Sequence, residues 1–533
     1  MTAQPVARNR IESREPDGGA GVHDLVYRQV IARPDACAVR DFRGAALTYA
    51  QLWKRSGQVA AVLARYGVGP GDRVAVGVDR TAELVCALLG ILRAGAAYVP
   101  LDSHAPARRW SAILEQSGAG VLLHSGQDAG AGWPARVRPV TMPVAATAPA
   151  GAPPSRPVAS GDTAFIGFTS GSTGAPKGVE LSHRAIGAFV TRARYCAIEP
   201  DDRVAQLANP AFDMLTFEVW STLAAGATVV VLPAVTEVAF ADWVAAITDH
   251  RITVLALTTA LADLVHRTAP GSFGSLRVLL FGGETADPEM VRGLVAIRPP
   301  QRVLHIYGPT EATTFATYYE CTAANVEGLT RIPIGFPLQD TNLHIVDDQL
   351  RPLPDGERGE LCIGGPRIAT GYVNAPDLTS GKFVVLPGGE RVYRTGDSVS
   401  RRADGALEFL GRIDRQVKLR GFRVELAEVE RAVLATHLVD AVAVEKTGTG
   451  MRARLVGFVV PRAADRVSSV VDELSAALRA DLPGYLIPHQ WHVLPRMPLT
   501  QNGKVDRARL VDMLPGAVRP ATREPAVDSG IDS

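Results

Sequence analysis

Residues 164–178 read AFIGFTSGSTGAPKG: an apolar run that breaks into glycines, hydroxyl residues, a proline and a lysine. The run Ala164–Phe168 has the length and character of a buried strand, so the loop begins where a strand leaves a sheet. Glycines in such a loop let the backbone approach a ligand closely. The hydroxyls of Thr169, Ser170, Ser172 and Thr173, with the N–H groups around Gly171 and Gly174, suit phosphate oxygens, and Lys177 adds a formal charge. Flexible linkers share the Gly/Ser/Thr composition, but a linker has no need of Pro176-Lys177-Gly178 at its end. The pattern is not G-x-x-x-x-G-K-[ST], because glycine rather than a hydroxyl residue follows the lysine.

Strand-like and helix-like stretches alternate on both sides of this loop. A helix is expected from LTYAQL through Ala64, a strand at 72–78, and an apolar helix from Glu83 to Leu92, with LRAGAAYVPLD leading into another short element. The stretch 127–161, rich in Ala, Pro and Gly, reads as a surface excursion. Beyond the loop come helices over 183–194 and 215–223 and strands over 203–207, 227–233, 252–257 and 276–283. The alternation predicts an α/β architecture with mostly parallel strands. Short strands and turns over 332–371 predict a small β-rich subdomain, and a compact α+β unit follows GRIDRQVKLRGFRVE.

At 533 residues the chain exceeds one core, and we expect a large domain over 23–413 and a small one over 414–514, with disordered ends at 1–22 and 515–533. A net charge of +1 offers no electrostatic case for nucleic acid or an anionic membrane. Five scattered cysteines without a C-x-x-C pair argue against a disulfide framework or zinc site and for a reducing, cytoplasmic setting. No signal peptide or membrane-spanning run is evident. Lysine occurs six times among the 56 basic residues, and three of the six, Lys177, Lys418 and Lys504, fall in the motifs discussed here.

Seven blocks in order resemble the amino-acid adenylation domains of nonribosomal peptide synthetases, within the adenylate-forming superfamily. They are LTYAQL, LRAGAAYVPLD, the loop above, YGPTEATT, GELCIGG with ATGY, YRTGD with GRIDRQVKLRG, and LPGYLIP with PLTQNGKVDR. The resemblance covers residues 22–514. It implies ATP and Mg²⁺ as cofactors. Asp397 is then the ribose-binding aspartate, a carboxylate able to accept from both sugar hydroxyls. Arg412 lies near the same sugar and Tyr307 against the adenine. His305 stands where the family usually has asparagine; Ile306, Gly308 and Thr310 complete the nucleotide contacts. Glu311 matches the Mg²⁺ ligand, a hard oxygen donor. Lys504, beside Asn502-Gly503, matches the catalytic cation between carboxylate and α-phosphate, acting with Lys177 and Glu311.

Asp213 matches the position that binds the α-ammonium group of an amino acid, though an aspartate before LTFEVW also suits a helix N-cap. The remaining pocket positions implied are Met214, Phe217, Ala260, Leu280, Gly282, Ile306, Phe315 and Ala316, with Lys504. None but the lysine is charged, so an apolar side chain is expected, on an α- or β-amino acid. Asp414 matches a hinge about which the small domain turns between two half-reactions, after which the loop with Lys418 and Gly421 replaces Lys504. The residues after Leu514 are not expected to form a carrier domain, although the last of them, GIDS, fit a loose Gly-x-x-Ser pattern. A phosphopantetheine-bearing carrier protein acting in trans is the expected partner. The rival readings are an acyl-CoA or aryl-acid ligase, which Asp213 weighs against, and a non-catalytic ATP-binding scaffold, which would have no use for Lys177, Glu311 and Lys504 together.

Overall fold

The structure, a computed structural model, describes residues 21–126, 133–143, 155–171, 175–191, 193–463, 469–500 and 504–514. The ends expected to be disordered lie outside these residues save for 21 and 22, and GIDS lies outside them altogether. Two large sheets carry the first 370 or so residues, as the alternating pattern predicts. In the first, strands Arg302–Tyr307, Val278–Gly282, Val254–Thr258, Arg203–Gln206, Thr228–Val231 and Cys37–Asp41 lie side by side and parallel. In the second, Thr163–Thr169, Ala97–Pro100, Arg73–Gly77, Val121–His124 and Arg138–Thr141 do the same. Near-continuous Val, Leu and Ile in these strands reflects burial on both faces. The largest core cluster joins the two sheets through helix Ala82–Arg93, whose residues from 84 to 93 are all buried.

Three expectations need correction. Part of the excursion over 127–161 is a strand, Arg138–Thr141: Val140 is buried while Arg138 and Pro139 are exposed, and a proline is tolerated because the strand lies at the sheet edge. The helix over 215–223 forms, but Thr216–Ser221 is wound as a π-helix, a wide turn that recurs at functional sites. The helix over 183–194 stops at Val190.

The β-rich region runs further than 332–371, because Gly359–Gly364 pairs with the long strand Arg391–Arg401, which in turn pairs with Leu407–Arg412. After it, the hairpin Gln416–Leu419/Phe422–Glu425, helices Leu426–Ala435 and Val470–Asp481 and a three-stranded sheet enclose a separate core around Val429, Leu455 and Leu474. Among the described residues no helix is long and apolar enough to cross a membrane.

Candidate active site

The carboxyl ends of strands Val254–Thr258, Val278–Gly282 and Arg302–Tyr307 open onto a cavity of about 320 Å³, the usual place for ligands in open parallel sheets. Thr169 and Ser170 reach it from the end of their strand, Asp397 and Arg412 from the β-rich region, and Gln416, Lys418, Gly421 and Arg423 from the hairpin. Ser172, Thr173 and Gly174 lie outside the described residues.

Beside the glycine-rich loop, Glu311 is fully buried on a short 3₁₀ turn. Its carboxylate accepts from the Tyr372 hydroxyl at 2.6 Å and from Arg423 at 2.8 Å, and the Lys177 ammonium lies 3.4 Å away. Burial alone would raise its pKa, yet Arg423 and Lys177 outweigh that and hold it well below the usual carboxylate range. Lys177 is brought down to about 8 by burial and by the charge of Arg423. The buried Thr169 hydroxyl has no partner among the described residues, which fits a loop built to meet phosphate oxygens. Among the described residues no cluster of three or more metal-ligating side chains occurs. An ion of the Mg²⁺ type is nonetheless suited by one buried carboxylate, with phosphate oxygens and waters completing its shell.

At the far side of the cavity Tyr307 donates its hydroxyl to Asp397. Arg412, the cross-strand partner of Asp397, donates to its other oxygen at 2.8 Å and to Asp414 at 2.6 Å. One guanidinium therefore links the expected ribose aspartate to the expected hinge. The Lys418 ammonium sits 5.1 Å from the centre of the Tyr307 ring. His305 does not line the cavity. Its side chain alternates to the other face of the strand, where the ring stacks on Phe281 at 5.2 Å and pairs with the Pro333 carbonyl at 2.8 Å. Burial pushes it down to about 4, so it is neutral.

At the third corner Asp213 and Met214 line the cavity with Gly282, Ile306, Gly308, Thr310 and Phe315. Burial raises the Asp213 carboxyl to about 6, the Thr310 hydroxyl opposing and the charge of Glu311 reinforcing the rise. Phe217, Ala260 and Leu280 are fully buried behind the wall; Phe217 packs on Phe315 with ring centres 5.5 Å apart. Ala316 is not a pocket residue. Thr313 and Thr314 both take left-handed backbone, φ 58° and 69°. Thr314 lines the cavity, donating to the Asp213 carbonyl at 3.0 Å, while Ala316 donates its N–H to the Tyr307 carbonyl at 2.7 Å and packs away from the site. Sequence reasoning also missed Glu218, a cavity-lining residue on the π-helix. Its carboxylate accepts the N–H groups of Leu207 and Ala208 at 3.1 Å and is raised to about 7 by burial. A lone glutamate inside the apolar run LTFEVW was the available signal.

Lys504 is not at the cavity. It is exposed, and its carbonyl accepts from the Thr500 N–H at 2.7 Å. The hairpin holds the cavity instead: Phe422 packs on Phe212 at 5.1 Å and on Tyr485 at 4.1 Å, and Glu428 forms a buried ion pair with Arg109 at 2.6 Å.

The profile of the AMP-binding enzyme family matches residues 26–373, and that of the AMP-binding enzyme C-terminal domain matches 428–504. The chain is 40% identical over 499 residues to malpibaldin synthetase of Mortierella alpina, an alignment covering 92% of this chain but only 9% of that protein. Holo-PA1221, a nonribosomal peptide synthetase protein with adenylation and PCP domains bound to a vinylsulfonamide inhibitor, matches with a TM-score of 0.83 at 28% identity, over 93% of this chain and 84% of that one. The amide bond synthetase McbA of Marinactinospora thermotolerans matches with a TM-score of 0.81 at 25% identity, over 92% and 99%. The fold, the cavity at the strand ends and these matches agree: the chain belongs to the AMP-binding, adenylate-forming enzymes, and within them to the adenylation domains of the peptide-synthetase type.

Proposed function

We propose that this enzyme activates an amino acid with an apolar side chain, α or β, as an aminoacyl-adenylate, and transfers it to the phosphopantetheine thiol of a separate carrier protein. The observation that carries the reading is the Asp213 carboxylate on a cavity wall whose neighbours Met214, Gly282, Ile306 and Phe315 are uncharged. An ammonium group pairs with it, and an acid without an amine leaves it unpaired in a buried site. In the first half-reaction the substrate carboxylate attacks the α-phosphorus of ATP and pyrophosphate leaves. Thr169, Ser170 and Lys177 hold the phosphates, Asp397 and Arg412 the ribose, and Tyr307 the adenine. A Mg²⁺ ion held at Glu311 supplies charge neutralisation of the phosphates when bound. Lys504 brings a further cation to the converging oxygens once the small unit turns. In the second half-reaction the carrier thiol, losing its proton, attacks the acyl carbon and AMP leaves; the hairpin arrangement described above suits this step.

We place the boundary between the large and small domains at Asp414, beside the exposed Ile413. The likeness to an amide bond synthetase favours a second reading, in which the same adenylation serves another acid and acceptor. ATP–pyrophosphate exchange across the amino acids and a set of aryl acids separates the two. Exchange led by apolar amino acids is expected, and exchange led by an aryl acid, or by Asp, Glu, Lys or Arg, refutes the pocket assignment.

A further inference from the structure

The turn that brings Thr310, Thr314 and Phe315 to the cavity joins strands Arg302–Tyr307 and Thr317–Cys321. It holds two β-branched residues, Thr313 and Thr314, in left-handed backbone, a strained state that persists only where the surroundings over-determine it. Arg367, between the blocks GELCIGG and ATGY, grips this turn on both sides of the strained pair. Its carbonyl accepts the Thr313 hydroxyl at 2.6 Å, and its guanidinium donates to the Phe315 carbonyl. The guanidinium also lies 5.1 Å from the centre of the Phe189 ring, which packs edge-on against the Phe315 ring at 5.7 Å. Its other terminal nitrogen donates to the Gln339 carbonyl at 3.2 Å and to the Thr341 hydroxyl at 2.9 Å, just before strand Asn342–Val346.

We propose that Arg367 is a positioning residue for selectivity: it clamps the left-handed turn so that Thr314 and Phe315 close the acid pocket at one fixed depth. The inference rests on the reading of this cavity as an adenylating site and names a residue through which the site chooses its acid. Arg367 is 1% exposed, and among the described residues no carboxylate pairs with it and its Nε has no acceptor. Burial brings its pKa down to about 10, the charge of Asp340 opposing. A buried cation so placed adds little stability, and an apolar side chain of similar length suits such a core at least as well. What the arginine provides is position, because its planar fork spans the Phe315 carbonyl and the Thr341 hydroxyl at once. The Thr314 hydroxyl donates to the Asp213 carbonyl at 3.0 Å, so a shift of the turn reaches both the apolar wall and the aspartate.

Arg367→Met keeps the length and the burial and removes the fork. ATP–pyrophosphate exchange is measured for parent and variant across the amino acids, β-alanine and benzoate, and then with homologues of the parent's preferred acid one methylene longer and shorter. A fitted apolar pocket separates such homologues by roughly 10- to 200-fold in kcat/KM, and in the variant the ratio should collapse to within about threefold. The KM of the preferred acid should rise about tenfold or more while that of ATP stays within about twofold, because the side chain touches none of Tyr307, Asp397 and Arg412. A crystal structure of the ligand-free variant should show Thr313 or Thr314 out of the left-handed region and the Phe315 ring displaced. Arg367→Lys, which keeps the charge and loses the fork, should show the same loss of selectivity to a smaller degree, and serves should the first variant not fold. Parent-like selectivity in a folded variant, or an unmoved turn, overturns the proposal. So do equal losses for every acid and for ATP, the mark of an arginine that only supports the fold. The comparison follows whichever acid the parent prefers, so a preference for benzoate strikes the amino-acid reading and leaves this test intact. The crystallographic readout needs no substrate at all.

Discussion

Asp213 carries the most specific consequence at the residue scale. Asp213→Asn should remove about 3–5 kcal/mol of ammonium binding if the site closes dry. At about 1.4 kcal/mol per tenfold, exchange kcat/KM should drop at least 10²-fold with ATP affinity largely kept. Unchanged exchange would revive the carboxylic-acid ligase reading. Because burial raises this carboxyl to about 6, amino-acid affinity should decline as pH falls through 6, where the group takes up a proton. Calorimetric titration of the preferred amino acid between pH 5 and 8 checks this. The same shift has a stability sign: the folded pKa lies above the unfolded one, so the ionised group costs stability above pH 6 and ceases to below the unfolded value. Ligand-free Asp213→Asn should therefore melt higher than the parent at pH 8, with the gap closing toward pH 4. Motif spacing brought Asp213, Asp397 and Arg412 to one cavity, with Glu311 buried next to its Thr310 wall, because each sits in a short turn or strand. It failed at Ala316, beside two successive left-handed threonines, and at His305, where strand alternation turns the ring away. Neither feature has a glycine to announce it.

Among the elements, the hairpin and the joint before it matter most. Periodicity found the buried strands and long helices, whose signal is summed over many residues. It missed the edge strand Arg138–Thr141, which is four residues long and half polar, and the π-helix, which keeps the same apolar pattern as an α-helix. Arg423 was equally hidden, since a guanidinium in RGFRVE reads as a solvated strand residue until Glu311 is seen opposite it. At the joint, Asp414 accepts from Arg412 and from the Gln416 N–H at 3.1 Å, which couples the Asp397 side of the cavity to the turn that precedes the hairpin. Asp414→Pro fixes one backbone torsion there. It should spare one half-reaction and abolish the other, measured as exchange and as carrier loading on a chain shown to be folded. Equal loss of both would make Asp414 a plain connector.

For the molecule as a whole, the proposed two-step reaction needs two faces of the small domain to serve one cavity in turn. The hairpin occupies the cavity here, with Lys418 over Tyr307 and Arg423 on Glu311, while Lys504 is exposed elsewhere. The small unit has its own core and follows a segment held by the Arg412–Asp414 pair, as the proposed turn of a rigid body requires. The direct test is Lys504→Ala measured separately in each half-reaction. Adenylate formation should slow about 10²- to 10³-fold, the loss expected of one transition-state donor. Supplied with preformed aminoacyl-adenylate, the same variant should load a carrier thiol at close to the parent rate. An equal loss in both steps would contradict the alternation, and full adenylation without Lys504 would remove it from the catalytic set.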